Sequence, residues 1–398
     1  MKKVHLGIFI LLLLALTMTG CEKTLPSAPG EDELLDGPME NLTSAEKIQF
    51  FRGDEAFGET FTVASGLGPI FVANQCASCH PGDGKGHPFV KFTRFGQPDT
   101  AGNQFLTMGG PQLQQKSIPG YLPETVPSGA TSTDLIAPAV TGLGFLDAVT
   151  DAYLIALSDP TDANGDGISG RPHYTNIPSY VHLRPNAIPE NGKHIARFGK
   201  KGAAYDLLHQ TSAAYNQDMG VTSLFEPNDT YTGLEVDPEV STQTVNDVVA
   251  YLKTLKAPIQ RNPDDPDVVA GKQIFSQIQC GSCHVPSMET GYSPIDALSY
   301  KTFSPYTDLL LHEMGSGLDD GYTEGHATTA EWKTPALWGL GLSLEAQGGF
   351  VFLLHDGRAT SIEQAILLHG GEAEQSKNNY SALSDDEKQL LLKFLESL

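Results

Sequence analysis

Cys76-Ala-Ser-Cys-His80 and Cys280-Gly-Ser-Cys-His284 share one pattern, C-x-x-C-H, and between them use all but one of the five cysteines, the other being Cys21. Two thiols at this spacing can add across the two vinyl groups of a haem, and the histidine that follows then lies beneath the iron as its proximal ligand. Counting alone leaves three disulfide pairings open. A thioredoxin-like dithiol needs a strand-to-helix setting and usually occurs once, and a structural zinc would have to gather thiolates from distant parts of the chain. The repeated pattern therefore predicts two covalently bound c-type haems, with Cys76, Cys79 and His80 at one and Cys280, Cys283 and His284 at the other.

The flanks are alike. Before the first motif, Ser44 to Phe61 carries Ile48, Phe51 and Phe57 in a helix-compatible pattern; before the second, Gly271, Ile274, Phe275 and Ile278 share one helical face. A closing helix is predicted for each: Val245, Val248, Val249 and Leu252, stopped by Pro258, and Leu391, Phe394, Leu395 and Leu398, begun by a Ser384/Glu387 capping box. A leading helix, a haem motif and a closing helix are the parts of a cytochrome c domain. The expected fold is mainly α, with two cytochrome c-like domains at residues 44–258 and 259–398. A chain of 398 residues is long enough for both cores. The first domain carries a long irregular insertion, roughly Lys85 to Pro238, rich in Gly and Pro, where a pocket over the first haem would be built.

At the N-terminus, Lys2 and Lys3 precede an apolar run, Ile8 to Leu16, too short to span a bilayer. Residues 1–20 read as a lipoprotein signal peptide, because Thr17-Met-Thr-Gly-Cys21 resembles a bacterial lipobox in which Cys21 is lipidated; a plain secretory signal is the alternative. Residues 21–43 read as a flexible acidic tether. The expectation is an exported protein, anchored by lipid at Cys21 to a bacterial membrane and facing the periplasm or surface. Glu22 favours the outer membrane. The net charge of −23, which becomes two units more acidic without residues 1–20, argues against nucleic acid and suits a cationic redox partner.

A larger ordered set of stretches is present as well. Gly66-Leu-Gly-Pro69, Gly142-Leu-Gly-Phe145, Asp162-Ala-Asn-Gly-Asp-Gly-Ile-Ser-Gly-Arg-Pro172, Ala196-Arg-Phe-Gly199 and Asp218-Met-Gly220 lie in the first part. Leu311-His-Glu-Met-Gly315, Trp332-Lys-Thr-Pro-Ala-Leu-Trp338, His355-Asp-Gly-Arg-Ala359 and His369-Gly-Gly-Glu372 lie in the second. With the two motifs, these resemble the bacterial di-haem oxidoreductases, peroxidase-type or "thiol oxidoreductase"-like proteins related to di-haem cytochrome c peroxidase and MauG. The resemblance implies peroxide chemistry.

Candidate site residues follow. Ser361 and Gln364 pattern as the start of a short helix on which Ile362, Ala365, Ile366 and His369 share a face, so His369 is the candidate sixth ligand of the second haem. The related peroxidases carry Met at the matching place, and His there lowers the potential. Met314 and His312 are the fallback. His355 and Arg358 suit haem propionates, or else form a structural turn. His87, Met108 and Met219 are the sixth-ligand options at the first haem, whose open position would admit H₂O₂. Glu124, Gln112 and Gln114 are the candidate distal groups for moving a proton between the peroxide oxygens, against a reading as ordinary loop residues. Asp162, Asn164 and Asp166 match the first half of a Ca²⁺ loop, but the twelfth position is His173, so a Gly-rich Asx turn is the equal alternative. The related peroxidases commonly place a Trp between their haems from the first half, whereas Trp332 and Trp338 lie in the second.

The functional expectation is a di-haem c-type oxidoreductase that reduces a small oxidant such as H₂O₂ at the first haem, with electrons from a redox partner protein relayed through the second. A di-haem electron carrier without its own substrate, or an oxidase of a partner protein, is the rival reading.

Overall fold

The computed structural model describes residues 29–99 and 102–398, so the signal-peptide reading and the anchor at Cys21 lie outside the described residues. In chain order the helices are α1 (Ser44–Phe57), α2 (Leu143–Ala148), α3 (Asp151–Leu157), α4 (Leu207–Met219), α5 (Thr242–Thr254), α6 (Pro266–Gln277), α7 (Ser343–Ala346), α8 (Ile362–Leu367), α9 (Glu374–Ser381) and α10 (Asp385–Ser397). Sheet is confined, among the described residues, to five two-stranded antiparallel ribbons. The fold is mainly helical, and residues 35–398 pack as one compact unit.

Helix α1 starts where Thr43 and Glu46 cap one another: the Thr43 hydroxyl accepts the Glu46 N–H at 3.3 Å and the Glu46 carboxylate accepts the Thr43 N–H at 2.7 Å. This satisfies two donors that a helix start leaves unpaired. The helix stops at Phe57 rather than Phe61, and its buried face is Phe50, Gly53 and Phe57. Of the apolar residues in the pattern, Ile48 and Phe51 are 59% and 58% exposed. The reason lies in the partner helix. Helix α5 crosses so close that a Cβ on Gly53 would stand 2.0 Å from the Asp247 carbonyl oxygen and 2.6 Å from Tyr251 Cβ. The face that carries the glycine must be the one turned inward. Phe50 and Phe57 then pack on the Tyr251 ring at 5.0 and 5.3 Å.

The second helix pair repeats this crossing. A Cβ on Gly271 of α6 would stand 2.1 Å from the Leu390 carbonyl oxygen and 2.7 Å from Phe394 Cβ of α10. Four residues on from each glycine stands a buried phenylalanine, Phe57 or Phe275, and Phe275 packs on Phe394 at 5.4 Å. Both closing helices bury the predicted stripes, and α10 begins with the Ser384/Glu387 capping box. Each pair anchors its own apolar cluster, the first with Tyr215, Val245 and Val248, the second with Val268, Leu391 and Leu395.

A third cluster joins the two parts. Leu146, Val149, Leu154 and Ile195 pack against Met288, Leu309, Leu310 and Trp338. The middle of the irregular stretch thus lies on residues of the second part as well as on α5, which Gly144 approaches to within 1.9 Å of the Lys253 carbonyl oxygen for a Cβ at that position. Within it Arg197 and Asp151 form a fully buried pair at 2.7 Å. Arg197 also donates to the Ile195 and Val149 carbonyls, so its charge is hydrogen-bonded as burial demands.

Candidate functional site

The two motifs have one local geometry. Each opens with a 3₁₀ turn, Cys76–Ser78 or Cys280–Ser282, and in each the histidine N–H donates to the first cysteine's carbonyl at 3.0 Å. The four cysteines are free thiols, half-buried, with Cys76 against the first apolar cluster and Cys280 against the second. Their approaches differ. Helix α6 reaches its motif through Ile278 and the left-handed Gln279, whereas residues 58–75 separate α1 from Cys76.

Burial pushes the thiols of Cys76, Cys79 and Cys280 up to about 12, the opposite of the stabilised thiolate a dithiol redox site requires. Burial pushes His80 and His284 down to about 4, so both imidazoles are neutral. The Nδ1–H of His284 donates to the Tyr306 carbonyl at 3.0 Å, which fixes the tautomer and leaves Nε2 with its lone pair. His80 Nδ1 is buried without a hydrogen-bond partner among the described residues, and the Pro138 backbone lies within reach of the ring. Paired free thiols followed by a neutral, oriented imidazole are the donor set of a c-type haem, and the residues present fit that group.

At the second motif, His369 follows α8, whose start is capped by the Ser361 hydroxyl on the Gln364 N–H at 3.0 Å. Gln364 reaches back to Thr360 rather than to Ser361. His369 Nδ1 donates to the Ala365 carbonyl at 2.7 Å, freeing Nε2, and the ring lies near enough for its charge to act on His284. His312 is differently placed. Its Nε2 meets Asp308 at 2.8 Å and its Nδ1 meets Glu372 at 2.7 Å. Burial opposes the charge, but hydrogen bonds to Asp308, Cys283 and Glu372 lift His312 to about 12. Both of its ring nitrogens are thus engaged by carboxylates. Met314 packs in an apolar cluster with Leu135, Leu318 and Trp332.

His355 and Arg358 take up separate tasks. The His355 ring lies flat on Trp332, centroids 3.7 Å apart and planes 8° apart, and burial holds it well below the usual imidazole range. Arg358 donates to Asp356 at 2.7 Å and to the Gly317 carbonyl at 2.8 Å. The Lys201 ammonium also lies over the Trp332 ring, 3.9 Å from its centroid. Trp332 stands opposite His312 in the ribbon Leu311–Glu313 with Glu331–Lys333, so this stack adjoins the second motif.

Around the first motif, Met108 is 64% exposed, Met219 is buried in the first apolar cluster, and His87 Nδ1 accepts the Phe89 N–H at 3.1 Å. Glu124 accepts the Gly110 and Gln114 N–H groups at 3.3 and 2.7 Å, pinning the Gly109–Gln114 turn. Gln114 donates to the Ile70 and Asn216 carbonyls. Gln112 donates to Asp218. Asp218 was no candidate on sequence grounds, yet burial pushes its carboxyl up to about 7 and its charge acts on both Cys76 and Cys79. Its only signal was its place in the Asp218-Met-Gly220 stretch.

Asp162, Asn164 and Asp166 lie in an exposed loop and turn inward on its own backbone: Asp162 accepts from Gly167 N–H, Asn164 from Asp166 N–H and Asp166 from Ile168 N–H. The loop is tied down at Ser169, whose N–H and hydroxyl donate to Glu372 at 3.0 and 2.6 Å.

No curated protein matches the chain. Among solved structures, one likeness is to the hydrazine synthase of Kuenenia stuttgartiensis pressurised with xenon, at 14% identity over 94% of this chain and 98% of that one, with a TM-score of 0.37. So low a score carries no argument. The family described as "Di-haem oxidoreductase, putative peroxidase" matches residues 131–398, about two thirds of the chain, a stretch that holds the second motif, His312, Trp332 and His369. The chain belongs to that di-haem oxidoreductase family.

Proposed function

We propose that the chain is a di-haem c-type oxidoreductase that reduces a small oxidant such as H₂O₂. Two cytochrome c-like units, residues 44–258 and 259–398, would each carry one haem on their C-x-x-C-H motif. The observation that carries this reading is the repeat: the same glycine-mediated helix crossing and the same cysteine-to-histidine turn at each motif. Bound haem supplies the electron transfer, H₂O₂ taking two electrons and two protons to give two waters. The chain's own residues do the rest. Cys76, Cys79, Cys280 and Cys283 would hold the haems through thioethers, and His80 and His284 would be the histidines that ligate the irons, with His284 Nε2 left free by its Nδ1–H bond to Tyr306. His369, its Nδ1–H held by Ala365, would be the second histidine to hold the haem of the second motif. Asp218, hydrogen-bonded by Gln112 and lifted by burial to about 7, is the group that would exchange a proton near the first motif. Glu124 and Gln114 shape the turn that carries Gln112.

The electrons would come from a redox partner protein, for which the acidic surface favours a cationic face. Export and a lipid anchor at Cys21, on the outer membrane facing the periplasm or surface, complete the reading, with residues 1–21 as their support. A Ca²⁺ ion on Asp162, Asn164 and Asp166 is supported by the oxygen spacing alone.

The test is low-temperature EPR on the haem-loaded protein, oxidised and half-reduced, before and after H₂O₂. The expected result is a high-spin ferric signal from one haem, lost on peroxide addition while the other haem oxidises. Two low-spin haems indifferent to peroxide would make the chain an electron carrier instead.

A further inference from the structure

Three lysines from distant parts of the chain meet beside the first motif. Lys85 lies between Gly84 and Gly86, and Gly86 is packed so tightly that a Cβ there would stand 2.9 Å from the Cys79 carbonyl oxygen and 2.7 Å from the Ala137 nitrogen. The Gly86 N–H donates to Ala137 at 2.8 Å, and the neighbouring Ile136 N–H donates to His355 at 3.0 Å. The Lys333 N–H donates to the Lys200 carbonyl at 3.1 Å. The charges of Lys85 and Lys333 both act on Lys200, and that of Lys200 acts on His80 and His355. The cluster therefore lies between the first motif and the His355–Arg358 turn.

Among the described residues none gives the three ammonium groups a hydrogen bond or ion pair, and each lysine is only half-buried although burial is the first influence on all three. The acids whose charge reaches Lys200 and Lys333 are Asp356 and Asp308, and these are engaged by Arg358 and His312. Adjacent Lys201 shows the contrast: its ammonium meets the Thr328, Thr329 and Glu331 carbonyls at 2.9, 3.1 and 3.0 Å and Asp320 at 3.3 Å. In a chain of net charge −23, half-buried lysines gathered at one place without acids of their own offer a site for anions. Burial together with mutual repulsion holds Lys200 down to about 7, and burial holds Lys85 and Lys333 down to about 8.

We infer that Lys85, Lys200 and Lys333 form a carboxylate-binding cluster whose carboxylates are haem propionates. The inference rests on the di-haem reading, since each haem carries two such carboxylates. It relieves His355 and Arg358 of that task, consistent with the stacking of one and the pairing of the other. A free carboxylate or other small anion from solution is the competing source of the same chemistry.

The experiment uses the full-length holoprotein, with covalent haem content measured first. A chain that takes up no haem refutes the di-haem reading and the propionate assignment with it. With both haems present, redox titration compares wild type with Lys200→Met, Lys333→Met and Lys200→Arg. Loss of a positive charge beside a haem favours its oxidised form, so each Met variant should lower the midpoint potential of a haem. The expected change is on the order of tenfold in the oxidised-to-reduced equilibrium, about 59 mV for one electron. Lys200→Arg should keep the wild-type value. Midpoints unchanged within about twofold in both Met variants would overturn the inference while leaving the di-haem reading intact. Acetate is then added to each protein. A saturable midpoint shift in the wild type that both Met variants lack would assign the cluster to a free anion and overturn the propionate assignment. Two separate Met variants guard against one of them failing to fold.

Discussion

Glu372 accepts the Nδ1–H of His312 at 2.7 Å, and the same carboxylate holds Ser169 by its N–H and hydroxyl. One side chain just beyond His369 thus joins the end of the α8 segment to the strand Leu311–Glu313 and to the Asp162–Pro172 loop. Glu372→Ala should leave a buried imidazolium with one counter-charge of two and cost about 3–5 kcal/mol. Urea unfolding would measure this. A loss below about 1 kcal/mol would show that Asp308 alone suffices.

His355 and His312 should shape stability against pH in opposite senses. His312 is held charged, so its contribution is complete below the ordinary imidazole value of 6.5 and is lost as pH rises towards about 12. His355 is held neutral by burial, so its contribution is present above 6.5 and declines as pH falls below it. Melting temperature recorded from pH 7 downward should fall in wild type and fall less in His355→Gln. Parallel curves would contradict the assignment.

The two glycine crossings make matched predictions. Gly53→Val and Gly271→Val would each drive a side chain into the facing helix backbone, costing about 1–3 kcal/mol or more. Gly317→Ala, with open space around its Cβ, should stay within about 0.5 kcal/mol of wild type. Thermal melts of the three variants decide it.

Asp218→Asn keeps the shape of the side chain and removes the proton-holding group. If Asp218 serves the peroxide reaction, turnover should fall by about 10²–10⁴-fold with haem content and spin state unchanged. Wild-type turnover in this variant would assign Asp218 to structure.

Much of the molecule was legible from local pattern. The two C-x-x-C-H motifs, both closing helices and the Ser384/Glu387 cap depend on residues within a few positions of one another, where spacing dictates geometry. The inward face of α1 is not legible from apolar pattern, because Ile48 and Phe51 are apolar and exposed while Gly53 is buried. Apolar periodicity takes no account of how closely a partner helix approaches, and here closeness outweighs hydrophobicity.

By itself the sequence determined the chemistry that thiols and imidazoles can perform at fixed short spacing, and the helices whose stripes and caps are local. Tertiary structure alone decided which charges stand together. His312 became a doubly paired imidazolium only when residues 308 and 372 met around it. Lys85, Lys200 and Lys333 became one cluster only when three distant segments converged. Charge interactions depend on distance and burial through space, and neither quantity is written in the order of residues along the chain.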